Sequence, residues 1–298
     1  MFNLSHDQLV QYTARNPFDR FPDGRPKVPD ALLDKVRGLS AEEVLGLSQA
    51  GYRNQWEANW QVLHPERKLV GRAVTLQLMP ARPDVQEVDA KARTAKNQLR
   101  LSHQTAIDML QKGDVLVVDS CGVQFGGVIG DNLAFYIWQT TGQGFVIDGA
   151  IRDVDGISEF DMAGYYRGAV PPAIHDLMVT GINIPIRIGN ATVMPGDVVF
   201  GDKEGLYFIP PDQVQSIVDD ADVTHLHDDW TKMKFKQGKY ISTDIYGRPH
   251  DPALIKEYED YLTEKLGPQK YADYQKRQAA LQAQPPQGQA QPGGRGGR

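Results

Sequence analysis

The segment GDNLAFYIWQTTGQGFVIDGAIRD, residues 130–153, constrains the fold more than any other stretch of this chain. Leu133, Ala134, Phe135, Ile137 and Trp138 form an apolar core, preceded by Asp131 and Asn132, which suit an N-cap, and closed by Gly142. That pattern predicts a helix over 133–141. Phe145-Val146-Ile147 then reads as a short buried strand running into Asp148-Gly149-Ala150-Ile151-Arg152-Asp153. A helix that returns at once as a strand folds back on itself. The carboxylate at the helix start then meets the Arg-Asp pair past the strand end.

Those residues suit a small anionic ligand on a metal. Aspartate is a hard oxygen donor for Mg²⁺ or Mn²⁺. Arg152 offers a planar fork for a carboxylate or a developing enolate oxygen. The helix N-terminus, from Gly130 through Asp131 and Asn132 to Leu133, presents backbone N–H groups that favour an anion. The same residues also suit a plainer reading, with Asp131 as an N-cap and Arg152–Asp153 as a surface ion pair.

Composition narrows the classes. Thirty-two Lys and Arg against 38 Asp and Glu give a formal charge of −6, so neither nucleic acid nor an anionic membrane is an expected partner. Cys121 is the single cysteine, which excludes an intrachain disulfide and a cysteine-based zinc cluster and suits a cytoplasmic home. The first nine residues lack the pattern of a secretion signal, and no apolar run approaches eighteen residues.

Residues 1–27 read as an arm, with Ser5 and Gln8 forming a capping box over a helix near 7–14 and a turn-rich stretch after it. Helices are expected at 31–37, at 40–50 and, with Leu99, Ala106, Ile107 and Leu110 in helical spacing, at 96–110; residues 80–89 read as a polar excursion. Strands are expected at 69–79, 115–118, 177–180, 184–188, 197–200 and 206–209. The aromatic-polar loop 52–60 reads as packing, His103 as a packed side chain, and His225 and His227 as solvated. A helix starts at Pro210-Pro211-Asp212, and residues 252–284 are helix-forming with a break at Gly267-Pro268. The Gly/Pro/Gln-rich residues 284–298 are expected to be disordered.

Asp131, twenty intervening residues, then Arg152-Asp153 resembles the D-x20-R-D signature of the RraA-like superfamily. Lys68–Thr75, Gly113–Asp119 and Val193–Val199 followed by Asp202-Lys203-Glu204-Gly205 resemble further family segments in the family's order. That superfamily holds metal-dependent 4-hydroxy-4-methyl-2-oxoglutarate/4-carboxy-4-hydroxy-2-oxoadipate aldolases and the regulator of ribonuclease activity A. The resemblance implies an α/β core of the swivelling β/β/α type over 28–222, with an N-terminal arm, a helical extension at 223–283 and a tail at 284–298. It implies a homotrimer or homohexamer with the site between subunits. It also implies a Mg²⁺ or Mn²⁺ ion held chiefly by Asp153, Asp131 orienting waters, Glu204 (or Asp202) of a neighbouring subunit acting through water, and Arg152 on a pyruvyl oxygen. The implied activity is retro-aldol cleavage to pyruvate, with oxaloacetate decarboxylation beside it. Other keto-acid lyases and a non-catalytic regulator are the alternatives. The regulator lacks an intact Arg-Asp pair, whereas Arg152-Asp153 is intact here. Pro171-Pro172 and His175 depart from the family pattern near the pocket.

Overall fold

The computed structural model describes residues 2–95, 102–247 and 249–283. In chain order these form α1 (His6–Tyr12), α2 (Asp30–Arg37), α3 (Ala41–Val44), α4 (Gly46–Gln49), β1 (Trp56–Glu57), β2 (Gln61–Leu63) and β3 (Leu69–Pro80). Next come α5 (Pro83–Ala95), α6 (Gln104–Ile107), β4 (Asp114–Gly122), α7 (Asp131–Thr141), β5 (Phe145–Ile151), α8 (Val154–Ile157), β6 (Gly164–Ala169) and β7 (Leu177–Ile182). The chain ends with β8 (Ile186–Ile188), β9 (Ala191–Val193), β10 (Val198–Gly201), β11 (Leu206–Ile209), α9 (Pro211–Lys236), α10 (Ser242–Ile245), α11 (Pro252–Leu266) and α12 (Pro268–Ala283). Two compact units result: 1–41 with 54–215, and 42–53 with 216–298.

The first unit is a mixed α/β body around one curled sheet, ordered β1-β11-β10-β3-β4-β5-β6-β2. β3, β4, β5 and β6 run parallel, as apolar strands joined by crossovers should. The long strand β3 serves two partners: β10 pairs antiparallel with its first half (Gly201 opposite Leu69) and β7 with its second (Pro80 opposite Leu177). One face carries Val74, Leu76, Leu116, Val118, Ile147 and Ile151 against Ala134 and Ile137 of α7. The other carries Ala73, Val117, Val146 and Tyr165 against Ile186, Ile188 and Val193 of the β8–β9 hairpin.

Several expectations need correction. Residues 80–89 are not an excursion: α5 starts at Pro83, with Asp84 in its first turn and a Lys91–Glu87 i,i+4 pair. Pro83 and Asp84 in the first turn and the Lys91–Glu87 pair favour a helix there, signals that a search for apolar periodicity does not use. Of the helix expected at 96–110, residues 96–101 lie outside the described residues, and the remainder is the single turn α6. The helix expected over 40–50 is broken into α3 and α4 on either side of Leu45, where Gly46 starts the second piece. The expected disordered tail, 284–298, lies outside the described residues.

The second unit is helical. α9 runs 26 residues and carries His225 and His227. His225 is exposed beside Asp229, but His227 is half-buried, edge-on to Tyr258 and within 3.1 Å of its hydroxyl. The solvated reading therefore fails for His227, because α11 packs Tyr258 and Trp230 around it. Lys234 sits over Trp230 and Tyr240 and pairs with Glu257. Arg277 and Lys270 of α12 pair with Asp220 and Asp222 of α9. The break between α11 and α12 falls at Gly267-Pro268, as expected.

Candidate functional site

The β4–α7–β5 passage brings the candidate residues to one end of the sheet. Ligands of open α/β sheets bind beyond the carboxyl ends of parallel strands. α7 begins after the loop leaving β4, and Arg152-Asp153 follows β5 directly. Backbone bonds fix the two segments: Val128 N–H donates to Ala150 O (2.8 Å) and Arg152 N–H to Ile129 O (3.0 Å). Asp153 then adopts a left-handed conformation (φ 56°, ψ 41°), which aspartate tolerates better than most residues. That turn starts α8 and returns the carboxylate toward α7. Its Oδ2 lies 3.3 Å from Arg152 Nη1, and both side chains remain more than a third exposed (37% and 39%), open to a ligand.

Glycines make the approach possible. A Cβ on Gly130 would fall 2.3 Å from Asp153 Oδ2 and 3.3 Å from Arg152 Nε. One on Gly156 would fall 3.0 Å from Asp131 Cβ and 3.3 Å from its Oδ2. Gly127 is as crowded, its Cβ position lying 2.7 Å from Arg152 N. Gly130 is the N-cap of α7, with no side chain capping the helix. Asp131, expected as the cap, is instead the first helical residue, and its Oδ1 accepts from the N–H of Asn132 (2.8 Å). The reason is the β-region backbone of Gly130 (φ −119°, ψ −170°), where the chain enters the helix one residue early. The uncapped first turn, through Leu133, is the positive end of the helix dipole.

On the far side of Gly127 a strap crosses from β6. Gly127 N–H donates to Pro172 O (2.9 Å), Ile174 N–H to Gly127 O (3.0 Å) and His175 N–H to Phe125 O (2.9 Å). The backbone of Gly127 therefore lies between Pro171-Pro172 and Arg152. The sequence marks that proline pair and, in Gly126-Gly127-Val128-Ile129-Gly130, glycines that let backbone approach a ligand closely; it does not mark Gly156.

Glu204 is elsewhere in this chain. It sits exposed in the β10–β11 turn, its N–H on Asp202 Oδ1 (2.9 Å). That turn flanks the amino-terminal end of β3, opposite to Arg152 and Asp153. Asp202 is occupied differently, accepting from Ala41 N–H and, through its carbonyl, from the Tyr165 hydroxyl.

Among the described residues no three His, Cys, Asp or Glu side chains gather into a metal cage. Asp131 and Asp153 supply two hard carboxylates at the mouth of an uncapped helix. A Mg²⁺-like ion takes one or two carboxylates, keeps several waters and fills the rest from substrate. The donors present fit that kind of site and not a closed zinc cage.

Two networks hold the frame. Arg167 lies 3.7 Å from the centroid of Trp60 and donates to Asp148 Oδ1 (2.8 Å) and Glu57 Oε1 (3.0 Å). Those carboxylates in turn accept from Gly189 and Asn190 N–H, which pins Glu57 and Trp60 down as expected, whereas Trp56 of the same loop stays 48% exposed. Asp197 is fully buried with one backbone donor, Met194 N–H (2.8 Å), and burial, with the Asp212 charge nearby, pushes its pKa up to about 7. The folded chain thus holds this proton to higher pH than the unfolded chain. Its contribution to stability is full below about 3.8 and is lost as pH climbs to about 7. Asp197→Asn should flatten the fall in unfolding free energy across that window, measured by urea titration at pH 4.5 and 8; an unchanged slope would refute the assignment.

The RraA-like family (Aldolase/RraA) matches residues 26–207. The chain belongs to that family. Among its relatives, a Halalkalibacterium halodurans protein named "Putative 4-hydroxy-4-methyl-2-oxoglutarate aldolase" is 34% identical over 110 residues, 37% of this chain and 52% of that one. A protein of the same name from Shewanella oneidensis is 36% identical over 94 residues, 32% of this chain and 57% of that one. The chain thus spans little more than half the length of these curated relatives. Among solved structures, Streptomyces coelicolor RraAS2, an unusual member of the RNase ES inhibitor RraA protein family, aligns at 27% identity and TM-score 0.61. The alignment covers 70% of this chain and all of that one. A Pseudomonas syringae structure at 20% identity (TM-score 0.57; 75% of this chain, 94% of that one) shares the fold. No helix among the described residues is long and apolar enough to cross a membrane.

Proposed function

We propose that this chain is a divalent-metal-dependent carbon–carbon lyase that cleaves a 4-hydroxy-2-oxo acid by retro-aldol reaction to pyruvate, with oxaloacetate decarboxylation as a side activity. One observation carries the reading: Asp131, Arg152 and Asp153 converge with an uncapped helix N-terminus at the carboxyl end of parallel strands. Asp153 would hold Mg²⁺ or Mn²⁺, with Asp131 and, from a neighbouring subunit of a homotrimer or hexamer, Glu204 orienting its waters. The cation supplies Lewis-acid stabilisation of an oxygen on which negative charge develops. The first-turn N–H groups of Asp131 and Leu133, with that of Asn132 shared with Asp131 Oδ1, would receive the keto-acid carboxylate. The C3–C4 bond breaks, the C4 hydroxyl gives up its proton and becomes a ketone, and the electron pair passes into a pyruvate enolate that is protonated at C3. Arg152 offers its fork to that enolate oxygen. Asp131 Oδ2, the oxygen not engaged by Asn132, would hold the water that takes the hydroxyl proton. The reading places the enzyme in the cytoplasm.

A second reading, a non-catalytic regulator of RNA degradation, takes support from the full-length alignment with RraAS2. A pyruvate-release assay separates the two, using 4-hydroxy-4-methyl-2-oxoglutarate and oxaloacetate with Mg²⁺ or Mn²⁺ and then a chelator. Metal-dependent pyruvate supports the lyase. No pyruvate from either acid, together with no bound metal, would favour the regulator.

A further inference from the structure

Each candidate carboxylate rests on a glycine of the other's helix. Asp153, which opens α8, lies over Gly130, the cap of α7. Asp131, which opens α7, lies over Gly156, inside α8. The two contacts form a reciprocal lock, and the space at each glycine sets how closely the carboxylates approach. Gly130 contributes its backbone to the proposed ligand site, but Gly156 has no such duty and no left-handed backbone to explain it. A glycine inside a helix costs stability relative to alanine, so its presence there needs a local reason. The contact with Asp131 supplies one: a methyl group at 156 would press on Asp131 Cβ at 3.0 Å and on Oδ2 at 3.3 Å.

We propose that Gly156 is a positioning residue, which fixes the Asp131 carboxylate against Asp153 and so tunes the affinity of the site for a divalent cation. The proposal rests on the metal-dependent reading above and adds the residue that sets the spacing of its two carboxylates. Alanine at 156 displaces the Asp131 carboxylate by a few tenths of an ångström while favouring the helix. Leucine displaces it further.

The test is direct Mn²⁺ binding to the full-length protein, read by electron paramagnetic resonance of the free ion, with no turnover required. Asp153→Ala should abolish wild-type binding. Gly156→Ala should weaken it about tenfold, the scale of outer-shell changes at metal sites, and Gly156→Leu more, with melting temperatures no lower than wild type for the alanine variant. A double-mutant cycle isolates the route. In an Asp131→Asn background, Gly156→Ala should change Mn²⁺ affinity less than twofold, because the carboxylate it moves is gone. Wild-type affinity in Gly156→Ala, or an undiminished effect in the Asp131→Asn background, overturns the positioning role while leaving the metal site standing. Absence of Mn²⁺ binding by the wild type overturns the metal reading itself. If Gly156→Leu fails to fold, the alanine variant and the cycle still decide.

Discussion

Asp153→Ala should lower metal-dependent pyruvate release by about a thousandfold or more, and Arg152→Lys by about a hundredfold, the range for removing a preorganised group aimed at developing charge. The two losses have different origins. Asp153 is positioned by its left-handed backbone, by Gly130 beneath its Oδ2 and by Arg152 Nη1 at 3.3 Å. Because the proposed site relies on Asp153 as its chief donor, excess Mg²⁺ should not restore the rate. Lysine at 152 keeps the charge but not the planar fork, and cannot hold an oxygen bidentately. Its loss should fall on kcat more than on KM, since the enolate charge exists only after the bond breaks. The checks are steady-state kinetics with both acids and circular dichroism to confirm folding. Wild-type kinetics in Asp153→Ala would remove it from the metal site, and wild-type kinetics in Arg152→Lys would remove Arg152 from the chemistry.

How much of this was legible before any coordinates depends on the range of each signal. α7 and β5 could be read from 130–153 because their determinants are local: an apolar stripe, a glycine stop at Gly142 with φ 66°, then an apolar run. The strand was longer than the run suggested, since Asp148 stays in register opposite Asp119 and is satisfied by Arg167. That partner, like Glu57, is distant in sequence, and no periodicity encodes it. α5 has no apolar stripe in its sequence to announce it; its legible helix signals are only Pro83 at the start, Asp84 in the first turn and one i,i+4 pair, Lys91–Glu87. β9 was missed because a three-residue strand carries no pattern of its own. At the candidate site the Asp131–Arg152–Asp153 spacing was visible as a family resemblance, and the geometry brings those three together. Glycines before Gly130 are legible as a loop that lets backbone come close, but their partner Arg152, and the contact of Gly156 with Asp131, appear only once the neighbouring backbone is known.

The same limit hid the other large effect, which lies in the segment that reads as an arm. Asp114 opens β4 with no exposure to solvent, and two arginines converge on it. Arg25 Nη2 lies 3.2 Å from its Oδ2 and Arg72 Nε 3.5 Å from its Oδ1, while Gln111 N–H donates to Oδ2 as well (3.0 Å). Arg25 and Arg72 are themselves only 1% and 2% exposed, and both stand over the Phe21 ring. Asp23 and Asp30 each engage one of them from the rim, so Asp114 is the buried charge that the two guanidiniums share. Asp114→Ala removes the buried anion between two guanidiniums and leaves each with only its rim partner, Asp23 or Asp30. Breaking a buried pair in this way costs about 3–5 kcal/mol, which for a body of this size lowers the melting temperature by roughly 10 °C. The loss should be smaller if Arg25 is replaced by methionine in the same chain, because one of the stranded charges is then gone. Thermal unfolding of Asp114→Ala, Arg25→Met and the double variant measures both. A melting temperature within a degree of wild type for Asp114→Ala would show that Asp23 and Asp30 satisfy the arginines without it.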